Sequence, residues 1–286
     1  MYQTRTGNFP VGFRRGWSDW QKDLPALISW AKENGFSTID LGNNLDDIKA
    51  VQEAGLKIGS VDLKGWGGLL SPDSGKRAEA IALNAEYIAA AGAQNYFCVM
   101  LPEDPKLPRA ENFGYMVEGL AGIAPELEKA GGKLVIEGWP GPGALCCTPE
   151  TYRAAFKEVN SNTIGINYDP SHLQRMGIDP IRFLNEFKDR VFHCHGKDAD
   201  VVVDDLYEYG TEQPATFKKS PDFGGSSWRY TIPGHGITNW NEITRILTAN
   251  GYSGAISIEL EDKDYNGSEE GEKLGLITSA QFLASS

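Results

Sequence analysis

Short apolar runs of strand length alternate with longer amphipathic segments, and this alternation repeats eight times along the 286-residue chain. Several of the short runs are continuously aliphatic or β-branched, as expected of strands that are covered on both faces. Alternating strands and helices pack as a parallel sheet with helices on its faces. The predicted strands are Val11–Arg15, Ser37–Leu41, Lys57–Leu63, Tyr96–Leu101, Lys133–Glu137, Ile164–Asp169, Val191–His195 and Ala255–Glu259.

The segments between the strands carry helix signals at their ends. Thr148 and Asp179 are capping residues followed by proline, and several segments stop at glycine, which is typical of helix starts and ends. The predicted helices are Asp19–Asn34, Ser74–Ala91, Ala110–Ala130, Thr148–Val159, Asp179–Lys188, Asn239–Asn250 and Glu270–Leu283.

Eight strand–helix units with no break in composition predict an α/β fold, a single (β/α)8 TIM barrel domain spanning residues 1–286. A doubly wound sheet is the structural alternative. It normally has a glycine-rich turn after its first strand, and Gly16-Trp17-Ser18 is not such a turn.

One connection is much longer than the others. Residues 199–238 separate the seventh predicted strand from its helix, whereas such connections usually have about 2–6 residues. Disorder is one interpretation of a loop this long, but the aromatic content is too high for a solvated linker. We therefore predict a loop insertion that covers the substrate. Its aromatic residues are Tyr207, Tyr209, Phe217, Phe223, Trp228 and Tyr230.

Charge and composition limit the classes of partner. The formal net charge is −12, which disfavours nucleic acid and anionic membranes because both require basic surfaces. The apolar runs are far shorter than the ~20 residues of a membrane span, and the N-terminal segment has no apolar core of a secretory signal. We expect a cytoplasmic protein with reduced thiols at Cys98, Cys146, Cys147 and Cys194. The sequence leaves homo-oligomerisation open.

Four consecutive predicted strands end in potential metal ligands. In an α/β barrel the active site lies at the carboxyl ends of the strands, so these side chains are expected to meet at one mouth. Each acid alone is equally consistent with an ordinary strand end facing water, but four in succession are not. Three carboxylates and one imidazole favour Mn²⁺ or Mg²⁺, with Co²⁺ as a further option. The four residues are Glu137, Asp169, His195 and Glu259.

Strand periodicity sorts the residues around the seventh strand. His193, His195 and Lys197 share one face because side chains alternate along a strand. We expect His193 to be a hydrogen-bonded core residue one layer deeper. Lys197 is placed to contact a substrate oxygen, with a salt bridge to Asp198 or another acid as the alternative. His235, in a Pro-Gly-His-Gly turn, is predicted to be structural.

Taken together, these motifs resemble the sugar isomerase/epimerase superfamily of xylose-isomerase-like barrels, which includes ketose 3-epimerases and keto-inositol dehydratases. The resemblance spans nearly the whole chain in element order and is most specific in the second half. The motifs that carry it are Val-Ile-Glu137, Asp169-Pro-Ser-His172, His193-Cys-His195-Gly-Lys197-Asp198, Ile232-Pro-Gly-His-Gly and Gly251-Tyr-Ser-Gly-Ala-Ile-Ser-Ile-Glu259-Leu-Glu-Asp262.

The resemblance implies one divalent-metal site formed by the four strand-end residues. It also implies that His172 contacts the substrate, and it makes Arg229 the counterpart of a substrate-binding arginine. The endonuclease IV class shares the fold, but it uses several metals, more histidines and a basic surface. Four histidines and a charge of −12 do not suit that class.

The combined pattern predicts proton transfer next to a carbonyl of a sugar or keto-sugar, through an enediolate stabilised by the metal. Glu137 and Glu259 would act as base and acid on opposite faces of the carbon, which gives an isomerase or epimerase. Loss of a β-hydroxyl or glycosidic oxygen would instead make the protein a lyase or dehydratase. A non-catalytic sugar-binding barrel is a third hypothesis. The predicted substrate contacts are His172, Lys197, Arg229, Trp17, Trp66 and Trp139. For the three tryptophans, packing is an equal alternative.

Overall fold

A computed structural model describes residues 1–286 and confirms the predicted barrel. Eight parallel strands close in the hydrogen-bonded order β1-β10-β7-β6-β5-β4-β3-β2. Every predicted strand is present, with its ends displaced by at most two residues. The barrel strands are β1 (Val11–Arg14), β2 (Thr38–Leu41), β3 (Lys57–Asp62), β4 (Asn95–Val99), β5 (Lys133–Glu137), β6 (Ile164–Tyr168), β7 (Val191–Gly196) and β10 (Ile256–Ile258).

Helices and two short 3₁₀ turns, Trp66–Leu70 and Lys188–Arg190, connect the strands. No helix combines the length and the apolar character that crossing a bilayer requires. The helices are α1 (Asp19–Lys22), α2 (Leu24–Glu33), α3 (Leu45–Glu53), α4 (Ser74–Ala91), α5 (Arg109–Ala130), α6 (Pro149–Val159), α7 (Pro170–Arg175), α8 (Pro180–Phe187), α9 (Val203–Tyr209), α10 (Trp240–Ala249) and α11 (Glu269–Leu283).

The prediction of one continuous helix over Asp19–Asn34 is wrong. Asp23 is not helical, and its carboxylate accepts a hydrogen bond from the backbone N–H of Ala26 at 3.1 Å, capping α2. Pro25 has no N–H to donate and is tolerated only in the first turn of a helix, so a new helix starts here. Helices α3, α7 and α9 were not predicted.

The chain divides into two compact units, each with its own core. The first unit, 1–40, 169–188 and 194–286, contains stacked and edge-to-face contacts among Phe13, Trp30 and Phe36. The second unit, 41–168 and 189–193, buries Phe97 beside Val99 and Val135.

The insertion, which lies in the first unit, has regular structure of its own. Strands β8 (Asp198–Val201) and β9 (Trp228–Thr231) pair antiparallel on either side of α9. The Asp198 carboxylate accepts hydrogen bonds from the backbone N–H groups of Ala199, Gly234 and Thr238, at 2.9 to 3.1 Å. Asp198 therefore holds the two ends of the insertion together. Coverage of the substrate by this segment stays a prediction.

Candidate active site

Asp169 directly follows β6 and has two differently bonded carboxylate oxygens. Its Oδ1 accepts hydrogen bonds from the Ser171 N–H at 2.9 Å and the Ser171 hydroxyl at 2.6 Å, which caps α7. Its Oδ2 is buried and accepts no hydrogen bond. That oxygen lies 3.3 Å from Nζ of Lys197 and 3.4 Å from Nε2 of His172. The sequence Asp-Pro-Ser thus fixes one oxygen and leaves the other directed into the site.

His195 lies near the end of β7 with its side chain fully buried between two carboxylates. Its Nδ1 is 3.5 Å from Oε2 of Glu259, and its Nε2 is 3.5 Å from Oδ2 of Asp40. Asp40 also accepts a 2.8 Å hydrogen bond from the Ser257 hydroxyl. A carboxylate behind a histidine holds the orientation of the ring and increases its basicity as a ligand. Asp40 is a site residue that sequence reasoning missed, although an acid within the apolar run Ile39-Asp40-Leu41 is a signal.

Glu259 follows β10 and is surrounded by positive groups. It pairs with Lys197 and lies 3.5 Å from Nε of Arg14, a second residue that sequence reasoning missed. Burial raises the pKa of Glu259, but Lys197, His195 and Arg14 together hold it well below its ordinary value. The Glu259 carboxylate is therefore ionised at neutral pH.

Lys197 is buried among acids. Its ammonium contacts Glu259, lies 2.9 Å from Oε2 of Glu261 and 3.3 Å from Asp169, and stands 4.6 Å from the centre of the Tyr230 ring. Lys197 therefore forms the salt bridges of the alternative prediction, but with Asp169, Glu259 and Glu261 rather than with Asp198. Contact of Lys197 with a substrate stays a prediction.

The insertion reaches His172 through Tyr230 of β9. The Tyr230 hydroxyl lies 2.6 Å from Nδ1 of His172 and accepts a 2.6 Å hydrogen bond from Nη1 of Arg175. Burial raises the pKa of Tyr230, so the phenol stays protonated. The guanidinium of Arg175 also stacks 4.2 Å from the centre of the Trp228 ring. The β8–β9 hairpin thus contacts His172 at its Nδ1.

Arg229 lies beside acids of the 259–264 segment rather than beside the metal-ligand candidates. Its Nη1 is 2.7 Å from Asp264 and 3.5 Å from Asp262, and its Nε is 3.9 Å from Asp200. Asp262 also accepts a 3.0 Å hydrogen bond from the backbone N–H of Ile232. The observed contacts of Arg229 therefore fix the hairpin, and its contact with a substrate stays a prediction.

The two remaining histidines differ in exposure. His193 is completely buried, as expected of a core residue. His235 is exposed in its turn, with its ring 5.9 Å from the ring of Tyr265.

Glu137 and two of the predicted tryptophans belong to the second unit. Glu137 ends β5, is buried, and accepts a 2.7 Å hydrogen bond from Nδ2 of Asn167, its partner in the β5–β6 register. Trp66 meets the ring of Phe97 edge-on at 6.2 Å, and Trp139 packs against the cluster around Phe97. Both indoles are partly exposed.

The third predicted tryptophan, Trp17, is in the first unit and is 84% exposed. It lines a cavity of about 490 Å³ together with Arg14, Glu259 and Glu261. The cavity therefore adjoins the cluster at Glu259.

The ligand chemistry of the first unit suits a divalent cation. Asp169, His195 and Glu259 each offer one oxygen or nitrogen, and these atoms lie within 4.8 Å of one another. Carboxylate oxygen and imidazole nitrogen are donors that Mn²⁺, Mg²⁺ and Co²⁺ accept, and the absence of thiolate argues against a structural zinc site. Asp169 Oδ2, buried without a hydrogen bond, is the kind of atom that a cation would bind. These residues form a candidate metal-binding site.

Comparison with known sequences finds relatives that include the protein YfiH and inosose dehydratases. The chain is 32% identical to the Bacillus subtilis (strain 168) protein YfiH over 133 residues, which are 46% of this chain and 41% of YfiH. It is 24% identical to inosose dehydratase of Geobacillus thermodenitrificans (strain NG80-2), over 86% of this chain and 87% of that enzyme. The alignments with the first two curated relatives cover less than half of those proteins' own length.

Solved structures of the same architecture include D-psicose 3-epimerase in the presence of D-fructose. It superimposes with a TM-score of 0.70 over 97% of this chain and all of that one, at 16% identity. A likeness at this identity shows the fold. The xylose isomerase-like TIM barrel family matches residues 28–285 in sequence. With the closed barrel and the acidic and histidine side chains at its strand ends, this match means that the chain belongs to the xylose isomerase-like TIM barrel family.

Proposed function

We propose that the protein is a divalent-metal-dependent isomerase or epimerase that acts on a sugar or keto-sugar. The observation that carries this proposal is the convergence of Asp169, His195 and Glu259 within 4.8 Å, with Lys197 and His172 beside them. The family supports it, because the solved relatives include proteins named as D-psicose 3-epimerase and D-tagatose 3-epimerase-like.

The residues proposed to hold the ion are Asp169, His195, Glu259 and Glu137. Glu137, the strand-end acid of β5, is included because the family resemblance assigns it to the same metal site. Three carboxylates and one imidazole favour Mn²⁺, with Mg²⁺ or Co²⁺ as alternatives. When bound, the ion supplies Lewis-acid polarisation of a carbonyl and an adjacent hydroxyl of the substrate.

The two glutamates are proposed to move the proton. Glu259, which its lowered pKa keeps ionised, is proposed to accept a proton from the carbon next to the carbonyl. Return of a proton by Glu137 to the opposite face of that carbon inverts the centre, and return to the neighbouring carbon interconverts aldose and ketose.

Five polar and aromatic groups are proposed to orient the substrate beside these acids. His172 and Lys197 each offer a donor to substrate oxygens, and Trp17, Trp66 and Trp139 offer aromatic faces to its C–H groups. Arg229, on β9 of the hairpin, is proposed as a further contact with the substrate hydroxyls.

A lyase or dehydratase is the second candidate function. The observation that favours it is the alignment with inosose dehydratase over 86% of this chain. The same carboxylates would remove the same proton, and the electron pair would then expel a β-hydroxyl or a glycosidic oxygen instead of recapturing a proton. The two functions thus differ in the fate of one intermediate at one site.

We also propose a cytoplasmic location. All four cysteines are buried free thiols, and burial raises the pKa of Cys98 and Cys194 well above the ordinary thiol value. Thiols of this kind are typical of proteins in a reducing compartment.

Deuterium exchange tests the proposed reaction. The Mn²⁺-loaded protein is incubated in D₂O with a panel of ketoses and 3-keto-sugars, and products are followed by NMR and mass spectrometry. Incorporation of deuterium into an isomer supports the isomerase or epimerase, and loss of water or of an aglycone supports the lyase. Glu259→Gln is expected to abolish both, whereas Glu270→Gln, at an exposed position, retains activity. Full activity of Glu259→Gln, or no exchange with any compound, would contradict the proposal.

A further inference from the structure

The cavity beside Glu259 borders the candidate metal site without including its other residues. Of the proposed metal ligands only Glu259 lines it, and Asp169 and His195 do not. The lining also includes Arg14, Glu261 and Trp17. A sugar carbon held at the metal site would therefore have this cavity at its side as additional space.

The volume of the cavity exceeds what one sugar ring needs. At the roughly 30 Å³ that each water molecule occupies in the liquid, the roughly twelve non-hydrogen atoms of a hexose fill at most about 360 Å³. The cavity measures about 490 Å³. Because Glu259 is in its wall, a substrate that reaches from the metal-ligand candidates into the cavity can be larger than a monosaccharide.

The first aromatic residue of the cavity, Trp17, stands on a loop that is held firmly. Glu272 accepts hydrogen bonds from the Ser18 hydroxyl at 2.6 Å and from Nε2 of Gln21 at 3.0 Å. The guanidinium of Arg15 donates to the carbonyl oxygen of Gln21 at 2.7 Å. With its loop fixed and its indole exposed, Trp17 is available to a ligand rather than used in the core.

The second aromatic residue, Phe223, comes from the insertion. Its φ of 57° is in the left-handed region, which bulky side chains rarely adopt. The turn is kept by hydrogen bonds from the Tyr230 N–H to the Phe223 carbonyl and from the Gly225 N–H to the Trp228 carbonyl, both 2.8 Å. Such strain is concentrated at binding and catalytic sites. Here it places an aromatic side chain in the wall of the cavity.

The charges of the lining argue against a phosphorylated ligand. Four acids, including Asp222 and Glu261, stand against three basic residues. One of those three, Arg15, is already engaged with backbone carbonyls. Lys263 and Asn266 also line the cavity, and both can donate hydrogen bonds to sugar hydroxyls. Aromatic faces with a few polar groups are the lining that a neutral sugar ring requires.

We propose that this cavity is a subsite for a second sugar ring, stacked against Trp17 and Phe223, and that the substrate is a keto-glycoside such as a keto-disaccharide. The proposal rests on the proposed function for the orientation of the substrate, with the keto ring at the metal ligands and the second ring in the cavity. The subsite itself is defined by Trp17 and Phe223, with Lys263 and Asn266 as polar lining residues.

Equilibrium binding tests the subsite separately from the reaction. Isothermal titration of the Mn²⁺-loaded protein with glucose, cellobiose, maltose, trehalose and sucrose is expected to show at least one disaccharide binding about tenfold more tightly than glucose. Phe223→Ala and Trp17→Ala are expected to remove this preference. Phe217→Ala is the matched control, because Phe217 is a fully exposed aromatic of the same insertion that does not line the cavity.

Kinetics completes the test. Where keto-sugars are turned over, the ratio of kcat/KM for a 3-keto-disaccharide to that for 3-ketoglucose is expected to fall about tenfold in Phe223→Ala and to stay constant in Phe217→Ala. Equal affinity for glucose and every disaccharide, or an unchanged preference in Phe223→Ala, would overturn the subsite. A disaccharide preference without any turnover would uphold the subsite and contradict the proposed function.

Discussion

The hydroxyl of Tyr230 lies 2.6 Å from Nδ1 of His172, so a strand of the insertion directly contacts the predicted substrate-binding histidine. Arg175 donates a hydrogen bond to the same hydroxyl. The Tyr230 oxygen accepts from Arg175, and it can either donate its own proton to Nδ1 of His172 or accept from an Nδ1–H. Nε2 of His172 lies 3.4 Å from both Asp169 Oδ2 and Nζ of Lys197, so the partner at Nδ1 takes part in setting the tautomer of the ring. Tyr230 is thus a positioning residue for His172.

Tyr230→Phe is expected to weaken both folding and turnover. Removal of the hydroxyl leaves Nδ1 of His172 and one donor of Arg175 buried without that partner, which costs about 1–3 kcal/mol of unfolding free energy. The tautomer of His172 is no longer fixed, so kcat is expected to fall more than KM rises. Urea denaturation and the D₂O exchange assay measure the two effects, and ¹⁵N NMR of His172 reports the tautomer directly.

Tyr207→Phe provides the control for this change, because Tyr207 belongs to the same insertion and is 91% exposed. It is expected to alter neither stability nor the His172 signal. An unchanged His172 tautomer in Tyr230→Phe would show that the phenol does not position the ring.

Lys197→Met tests how the buried acids are compensated. Loss of the ammonium leaves Asp169, Glu259 and Glu261 close together without their shared cation. Breaking a buried ion pair costs about 3–5 kcal/mol, so the metal-free variant is expected to lose unfolding free energy on that scale. In Mn²⁺ the loss is expected to shrink, since a bound cation neutralises Asp169 and Glu259. Denaturant titrations with chelator and with Mn²⁺ measure both values.

The exposed pair of Lys49 and Glu53 supplies the control for Lys197→Met. Lys49→Met is expected to leave unfolding free energy unchanged in both conditions. If Mn²⁺ stabilised Lys197→Met no more than the wild-type protein, the carboxylates around Lys197 would not be the cation ligands.

The strand ends of the site were predictable because each follows an apolar run and barrels place their chemistry at that edge. Asp40 carried a signal as an acid within an apolar run, but its contact with His195 did not, and Arg14 was not predictable because it is distant in sequence from Glu259. Closure of the barrel pairs Phe13 of β1 with Ile258 of β10, one residue before Glu259. Only that pairing places Arg14 beside Glu259.

Inside the insertion, sequence patterns carry less information. Arg229 was predicted from the resemblance alone, and the register of the β8–β9 hairpin places it opposite Asp200, with Asp264 close by. No periodicity in a long loop reports such a register, because it depends on which backbone groups pair across a turn. The cap at Asp23, by contrast, was readable: Asp followed two residues later by Pro25 is a helix start.

Glu272→Gln is expected to change the acid stability of the protein. Burial raises the pKa of Glu272, but hydrogen bonds from Ser18, Gln21 and Trp20 together lower it by more. The pKa of Glu272 therefore lies below its ordinary 4.5. In the wild-type protein this stabilisation is complete above about pH 4.5 and is lost as the pH falls towards the folded-state pKa. Glu272→Gln has no carboxylate to protonate here, so it lacks this loss of stability in acid. At neutral pH it is less stable than the wild-type protein by about 1.5–3 kcal/mol.

Urea denaturation between neutral pH and acid measures the Glu272 effect. Glu270→Gln, in the same first turn of α11 but exposed, is the control because it changes the same charge near the helix start. Parallel acid-stability curves for the wild-type protein and Glu272→Gln would contradict the assigned network.

Two glycines of α5 are expected to respond in opposite ways to alanine. A Cβ at Gly119 would overlap the carbonyl oxygen of Leu69, where α5 packs against the 3₁₀ turn Trp66–Leu70, so Gly119→Ala must displace backbone and destabilise the second unit. Overpacking of this kind costs about 1–3 kcal/mol. Gly114 lies in the same helix with no atom within 4 Å of its position for a Cβ, so Gly114→Ala stabilises by about 0.5–1 kcal/mol through helix propensity. Thermal and urea unfolding measure both changes, and a stabilised Gly119→Ala would disprove this close packing.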